Sequence, residues 1–230
     1  MIRKLLETKY IKASTLYVFI SVLPSVLNFL LLPLYLRYVS VEEFGYLALL
    51  NLYAMAFNVF ASLQVNIAAS TQYFYRDTDR QAYRSGILLA TFVSTSLTFV
   101  IFAFSAEKAF QLFENNIEFY PLGAVVLTTM ALSQFEAIIF LFFKNEYRIR
   151  EIGIFSISAT AVNVLTQVLL ITYFDMGMAG IVYGKLLPKV VTVSLLLIVF
   201  SKWFFGERLI LLFSKISIRY AWVALKFSVP

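Results

Sequence analysis

The sequence predicts an all-α integral membrane protein: a bundle of six transmembrane helices with a cytoplasmic N-terminus. Three observations carry this. Of 230 residues, 61% are hydrophobic and only 14% charged, whereas soluble domains carry about 25% charged residues. Six separate stretches reach the ~20 mainly apolar residues that a spanning helix needs. Basic residues also cluster in alternate segments between those stretches, the mark of a chain threaded through a bilayer. The chain has no His and no Cys, so a His/Cys zinc site, a Cys nucleophile and a His-based triad are all impossible. No catalytic residue, metal or cofactor is expected, and the chain does not read as an enzyme.

In chain order, residues 1–13 set apolar Ile2, Leu5 and Leu6 among basic neighbours and read as an interfacial segment. The first span, 14–36, is too long for a signal-peptide core and lacks a small-x-small cleavage site, so it reads as an uncleaved anchor. Its Pro24 and Pro33 each remove a backbone donor, giving either a hinge or a static kink. The further spans are 44–69, 86–106, 120–143 (opened by Pro121), 152–174 and 181–200 (containing Pro188). Together 14–200 form one transmembrane lobe. Residues 201–220 mix Trp203, Phe204, Leu209 and Leu212 with Arg and Lys, as an amphipathic cytoplasmic linker on the inner leaflet would. Residues 221–230 read as the truncated start of a seventh helix.

Charge orients the bundle. Fourteen basic residues lie in the N-terminal segment, the second-to-third and fourth-to-fifth connections and the stretch after the sixth span; the other connections hold only Arg37 and Lys108. The positive-inside rule therefore places the N-terminus in the cytoplasm. The net charge of +6 is mostly this topology signal, so no nucleic-acid partner is expected; the bilayer is the expected environment.

Periodicity at ~100° per residue assigns faces to the spans. Polar stripes run along the first (Ser14, Tyr17, Ser21, Ser25, Asn28, Tyr35), second (Asn51, Asn58, Ser62, Asn66), third (Thr91, Ser94, Thr95, Thr98) and fifth (Ser156, Thr160, Asn163, Gln167). Such stripes serve as hydrogen-bonding glue between helices or as the walls of a shared polar lumen. Their repetition favours the lumen, with Asn58, Asn163 and Gln167 as its substrate-facing amides. Three ionisable residues fall within spans: Glu136, Lys185 and Lys189. A charge near mid-helix costs ~2.5–3.5 kcal/mol on insertion scales, so such groups usually face a cavity or a partner. Lys185 and Lys189, four apart on one face, suit an anion such as a lipid diphosphate, or else snorkel to the interface. Glu136 is either an ion-coupling site or the counter-ion of Lys189.

Two signals are set aside. Asp77-Thr78-Asp79 has metal-binding spacing, but Arg76 and Arg80 flank it in a short loop, as in a solvated charged turn. Gly177 to Gly180 is too short for a phosphate loop and reads as a tight outer turn.

The run Leu31-Leu32-Pro33-Leu34-Tyr35-Leu36-Arg37-Tyr38-Val39-Ser40-Val41-Glu42-Glu43-Phe44-Gly45-Tyr46 resembles the polysaccharide flippase family, exporters of lipid-linked O-antigen and capsule units. That family belongs to the superfamily that includes multidrug exporters. The pattern is an "LP-x-x-x-R" helix end followed by "S-x-E-E-F-G", in which Ser40 can cap the next helix and Glu42 and Glu43 suit its dipole. Looser similarities are Ala69 to Phe74, Asn163, Gly177 to Gly184 and Leu225 to Pro230. The resemblance implies one lobe of a two-lobe transporter in the bacterial cytoplasmic membrane. Its cargo would be a polyprenyl-diphosphate-linked oligosaccharide for cell-surface polysaccharide biosynthesis, including lipopolysaccharide. Translocation would occur by alternating access, the sugar-diphosphate head crossing a polar cleft while the tail stays in lipid. A second lobe would be the expected partner. The alternatives are a cation-coupled small-molecule exporter of the same fold and a non-transporting membrane assembly subunit.

Overall fold

Out of water, a spanning backbone must pair its own polar groups, which makes long apolar runs helical. The computed structural model describes residues 2–62, 65–71, 73, 80–111, 119–205 and 215–227. Its helices are α1 (Ile2–Tyr38), α2 (Val41–Ser62), α3 (Val65–Thr71), α4 (Arg80–Gln111), α5 (Leu122–Asn145), α6 (Ile149–Thr172), α7 (Gly177–Val199), α8 (Ser201–Phe205) and α9 (Lys215–Phe227). Five of these, α2 and α4 to α7, are long and apolar enough to cross a membrane, and α1 adds a shorter apolar stretch, Val22–Tyr38. Phe104, Leu165 and Ile198 are 84%, 68% and 69% exposed on the outer faces of the bundle. A soluble surface rarely carries apolar side chains so extensively. The chain is a multi-pass α-helical membrane bundle.

Several boundaries depart from those read from hydropathy. The expected interfacial segment and first span form one continuous helix, α1. α2 starts at Val41, three residues before the apolar run, because a capping box closes its N-terminus. The Ser40 N–H donates to Glu43 Oε2 at 2.8 Å, and the Glu43 N–H donates to Ser40 Oγ at 3.2 Å. The "S-x-E-E" motif is thus satisfied by local helix capping. The expected second span covers α2 and most of α3, with residues 63–64 between them outside the described residues, and α3 packs on α5 and α9.

The C-terminal segment contributes two described helices. The expected 201–220 linker contributes a short helix, α8, whose Phe204 is fully buried, so this part packs into the bundle. The last helix starts at Lys215 instead of Ala221 and lies along α4. Small Ala221 and Ala224, one turn apart, are buried there, and the rings of Tyr220 and Tyr83 meet edge-on at 5.4 Å. Residues 206–214 and 228–230, like the Asp77–Asp79 motif, Gln64 and Gln72, lie outside the described residues.

Two apolar clusters hold the bundle, one at each end. The first, around Tyr83, Ile139, Phe142, Phe143 and Phe204, lies beside the α5–α6 turn. The second, around Leu50, Phe57, Leu127, Ile171 and Ile181, lies beside the α6–α7 turn. α6 and α7 pack extensively, because Gly180 and Gly184 remove side chains from their interface, a small-xxx-small spacing that lets helix backbones approach. α1 packs along α6 and has only marginal contact with the other helices.

A polar clasp closes the α5–α6 end. Arg84 pairs with Glu146, donates from Nη1 to the Trp203 carbonyl at 2.9 Å, and stacks 3.9 Å from the Trp203 ring centroid. The Tyr73 hydroxyl donates to the same Glu146 carboxylate at 2.5 Å. Removing one member of a buried pair strands the other, so Arg84→Met is expected to cost about 3 kcal/mol. Arg84→Lys should restore only part of this, since lysine keeps the charge but loses the planar stack. Thermal unfolding of the purified variants in one detergent measures both. Burial, and then the bond to Glu146, pushes the Tyr73 phenol above its ordinary range. A raised phenol favours the folded state below about pH 10, and that contribution is lost as pH rises further. Tyr73→Phe should therefore shrink the alkaline loss of thermal stability, read as Tm against pH.

Candidate functional site

A half-open cavity of about 300 Å³ lies within the membrane-spanning helices, between the two apolar clusters. Four helices wall it. α1 presents Pro24 and Asn28; α5 presents Thr129, Met130, Ser133 and Glu136. From α6 come Ser156, Ala159, Thr160, Asn163 and Val164, and from α7 Lys185, Pro188, Lys189 and Thr192. These positions recur at three- and four-residue intervals, so each helix gives one face to the same space.

All three intramembrane ionisable residues line this cavity, but they are not equivalent. Lys189 donates to Glu136 across the α5–α7 seam, an ion pair only partly accessible to solvent. Lys185, one turn away, has no hydrogen-bond or ion-pair partner among the described residues. The cavity lining therefore carries two positive charges and one negative, and its excess charge is the ammonium of Lys185.

The hydroxyls complete the chemistry. Thr129 donates to the Val125 carbonyl, Ser133 to Thr129 and Thr160 to Ser156, at 2.8, 2.8 and 2.7 Å. Each hydroxyl has one donor hydrogen and two lone pairs. With the hydrogen used inside its own helix, each offers the cavity an acceptor. The lining thus combines one cationic donor with several neutral acceptors, an arrangement suited to an anion bearing hydroxyl groups.

Of the residues singled out from sequence, Lys185, Lys189, Glu136 and Asn163 meet at the cavity, while Asn58 and Gln167 do not line it. Asn58 lies in the α2–α5 seam, where Gln134 Nε2 donates to its Oδ1. Gln134 is not singled out from sequence; its one signal there is an amide inside an apolar span. Gln167 is fully buried behind the wall, accepting from the Tyr35 hydroxyl at 2.5 Å and donating to Asn163 Oδ1. It positions Asn163 from behind. The α4 stripe is likewise glue: Thr91, Ser94, Thr95 and Thr98 are buried, and Ser94 donates to the Ala61 carbonyl of α2 at 3.0 Å. Ser94 and Asn58 thus reach across helix seams, while Asn28 of the α1 stripe and Ser156, Thr160 and Asn163 of the α6 stripe line the cavity beside polar faces of α5 and α7.

Fold and site define a multi-pass α-helical membrane protein built around a polar intramembrane cavity with one unpaired lysine. Comparison with protein-family models, curated proteins and solved structures found no match to this chain.

Proposed function

We propose that this chain is one lobe of a transporter that moves a polyprenyl-diphosphate-linked oligosaccharide across the bacterial cytoplasmic membrane, with its N-terminus in the cytoplasm. The observation that carries the reading is the unpaired Lys185 in a membrane-embedded cavity whose lining also holds hydroxyl acceptors, amides and the Lys189–Glu136 pair. A diphosphate supplies the anion for the ammonium, and sugar hydroxyls supply donors for the Ser and Thr oxygens. A half-open cavity on one lobe is half of a cleft, which a second lobe would complete for alternating access. Cation coupling at Glu136 is less well supported, because Lys189 already occupies that carboxylate.

Complementation tests this. The chain is expressed alone, and together with a second lobe, in a bacterium lacking its O-antigen flippase, and surface polysaccharide is measured. Rescue is expected with the second lobe. A charge-assisted hydrogen bond is worth about 1.5–3 kcal/mol, so Lys185→Met should cut the translocation rate about tenfold or more. Equal rescue by parent and Lys185→Met would remove the lysine from the mechanism, and no rescue in any pairing would remove the flippase reading.

A further inference from the structure

Toward the α5–α6 turn the polar cavity continues into a second one of about 280 Å³, lined by Ile20, Ala137, Phe140, Leu141 and Ile152, with Lys144 at its rim. Pro24 and Ser156 line both, so the two are one groove. On α5 the polar part takes Thr129 to Glu136 and the second part takes Ala137 to Lys144. At 1.5 Å per residue the groove is about 22 Å long. Its chemistry changes within one residue step, from Glu136 to Ala137.

The floor of the lower part is α6, and its walls are α1 and α5. α1 packs along α6 and only marginally elsewhere, so no described side chain fills the space beside α5. Between Ser156 and Lys144 the lining is Ile20, Ala137, Phe140, Leu141 and Ile152, an apolar surface suited to hydrocarbon. The polar half, with its unpaired ammonium, calls for an anion. A ligand satisfying both halves at once is an anion joined covalently to a hydrocarbon chain.

The geometry points to a single amphiphile site in which a polyprenyl phosphate lays its anionic head against Lys185 and runs the first units of its own chain down the slot between α1 and α5. This deepens the transporter reading and rests on it: the part of the tail nearest the head is held by protein, and only the remainder lies in lipid. Charge complementarity at one end and the apolar lining at the other select a lipid phosphate over a free sugar phosphate or a neutral lipid.

The test uses the full chain in nanodiscs with a polyprenyl phosphate carrying a photoreactive diazirine in its second isoprene unit. Cross-linked peptides are mapped by mass spectrometry. Labelling is expected on the slot walls, in the α5 peptide containing Ala137 to Leu141 and the α1 peptide containing Ile20. Ala137 is exposed in the groove, so Ala137→Trp fills the slot without entering the packed core. Losing burial of even two or three methylenes should lower labelling about tenfold or more, while Ala137→Ser leaves it unchanged. Lys185→Met should weaken it similarly. Labelling that ignores Ala137→Trp, or a diazirine-tailed anionic phospholipid that labels the slot equally well, would overturn the site. Inorganic pyrophosphate serves as a separate probe of the head. If it binds in a Lys185-dependent way but the slot is not labelled, the tail site fails and the transporter reading stands. If the slot is labelled but complementation fails, the lipid site stands and the transporter reading falls.

Discussion

A Gly184→Leu protein is expected to lose about 4 kcal/mol or more of stability, combining overpacking with a broken buried hydrogen bond. A Cβ at Gly184 would lie 2.5 Å from Gln167 Cγ and 2.9 Å from Gln167 Cα. A flexible side-chain tip could turn aside; a Cα cannot, so α6 and α7 must separate. The consequences travel further, because Gln167 also binds Tyr35 of α1 and orients Asn163 on the cavity wall. One substitution thus loosens the α6–α7 seam, the main support of α1, and one wall of the cavity. Gly184→Ala should fall between parent and Gly184→Leu. Thermal unfolding in a single detergent, with size-exclusion profiles, reads the series. A Gly184→Leu protein that unfolds at the parental temperature would show that the helices do not close at this point.

The second large effect concerns the Lys189–Glu136 pair. Glu136→Gln leaves two ammonium groups one turn apart, with no anion in the cavity lining. Breaking a buried pair from one side costs about 3–5 kcal/mol, and the low end applies here because the cavity is half open. Lys189→Met strands the carboxylate at a comparable cost. The double variant, Glu136→Gln with Lys189→Met, should return close to parental stability, since replacing both charges removes the stranded partner. The two single variants should part company in anion binding. Glu136→Gln keeps both lysines and adds net positive charge to the cavity, so pyrophosphate binding is retained or strengthened; Lys189→Met halves the cationic lining and weakens it. Tm values of the four proteins give the coupling, and simple additivity would mean that the pair does not exist in the folded protein.

Much of the helical framework was legible because its causes are local. Apolar length marked the spans, and a Ser and a Glu three apart marked the α2 start that Ser40 and Glu43 then made. The Gly180–Gly184 spacing was visible as letters, but not which helix it would admit. Ala221 and Ala224 carry no special mark in the sequence and matter only once α4 is beside them.

The candidate site divides along the same line. The sequence by itself determined the membrane class, the span positions, the polar face of each helix and the rarity of Glu136, Lys185 and Lys189 inside them. Only the tertiary structure decided what each face meets. In sequence Asn58 and Ser94 look no different from Asn28 and Asn163, yet the first two meet neighbouring helices and the others line a cavity. The physical reason is range. Hydropathy and periodicity are set within a few turns of one helix, whereas Lys189 finds Glu136 53 residues away and Asn58 finds Gln134 76 away. Those meetings depend on how α2 and α7 pack against α5, which no stretch of a single helix records.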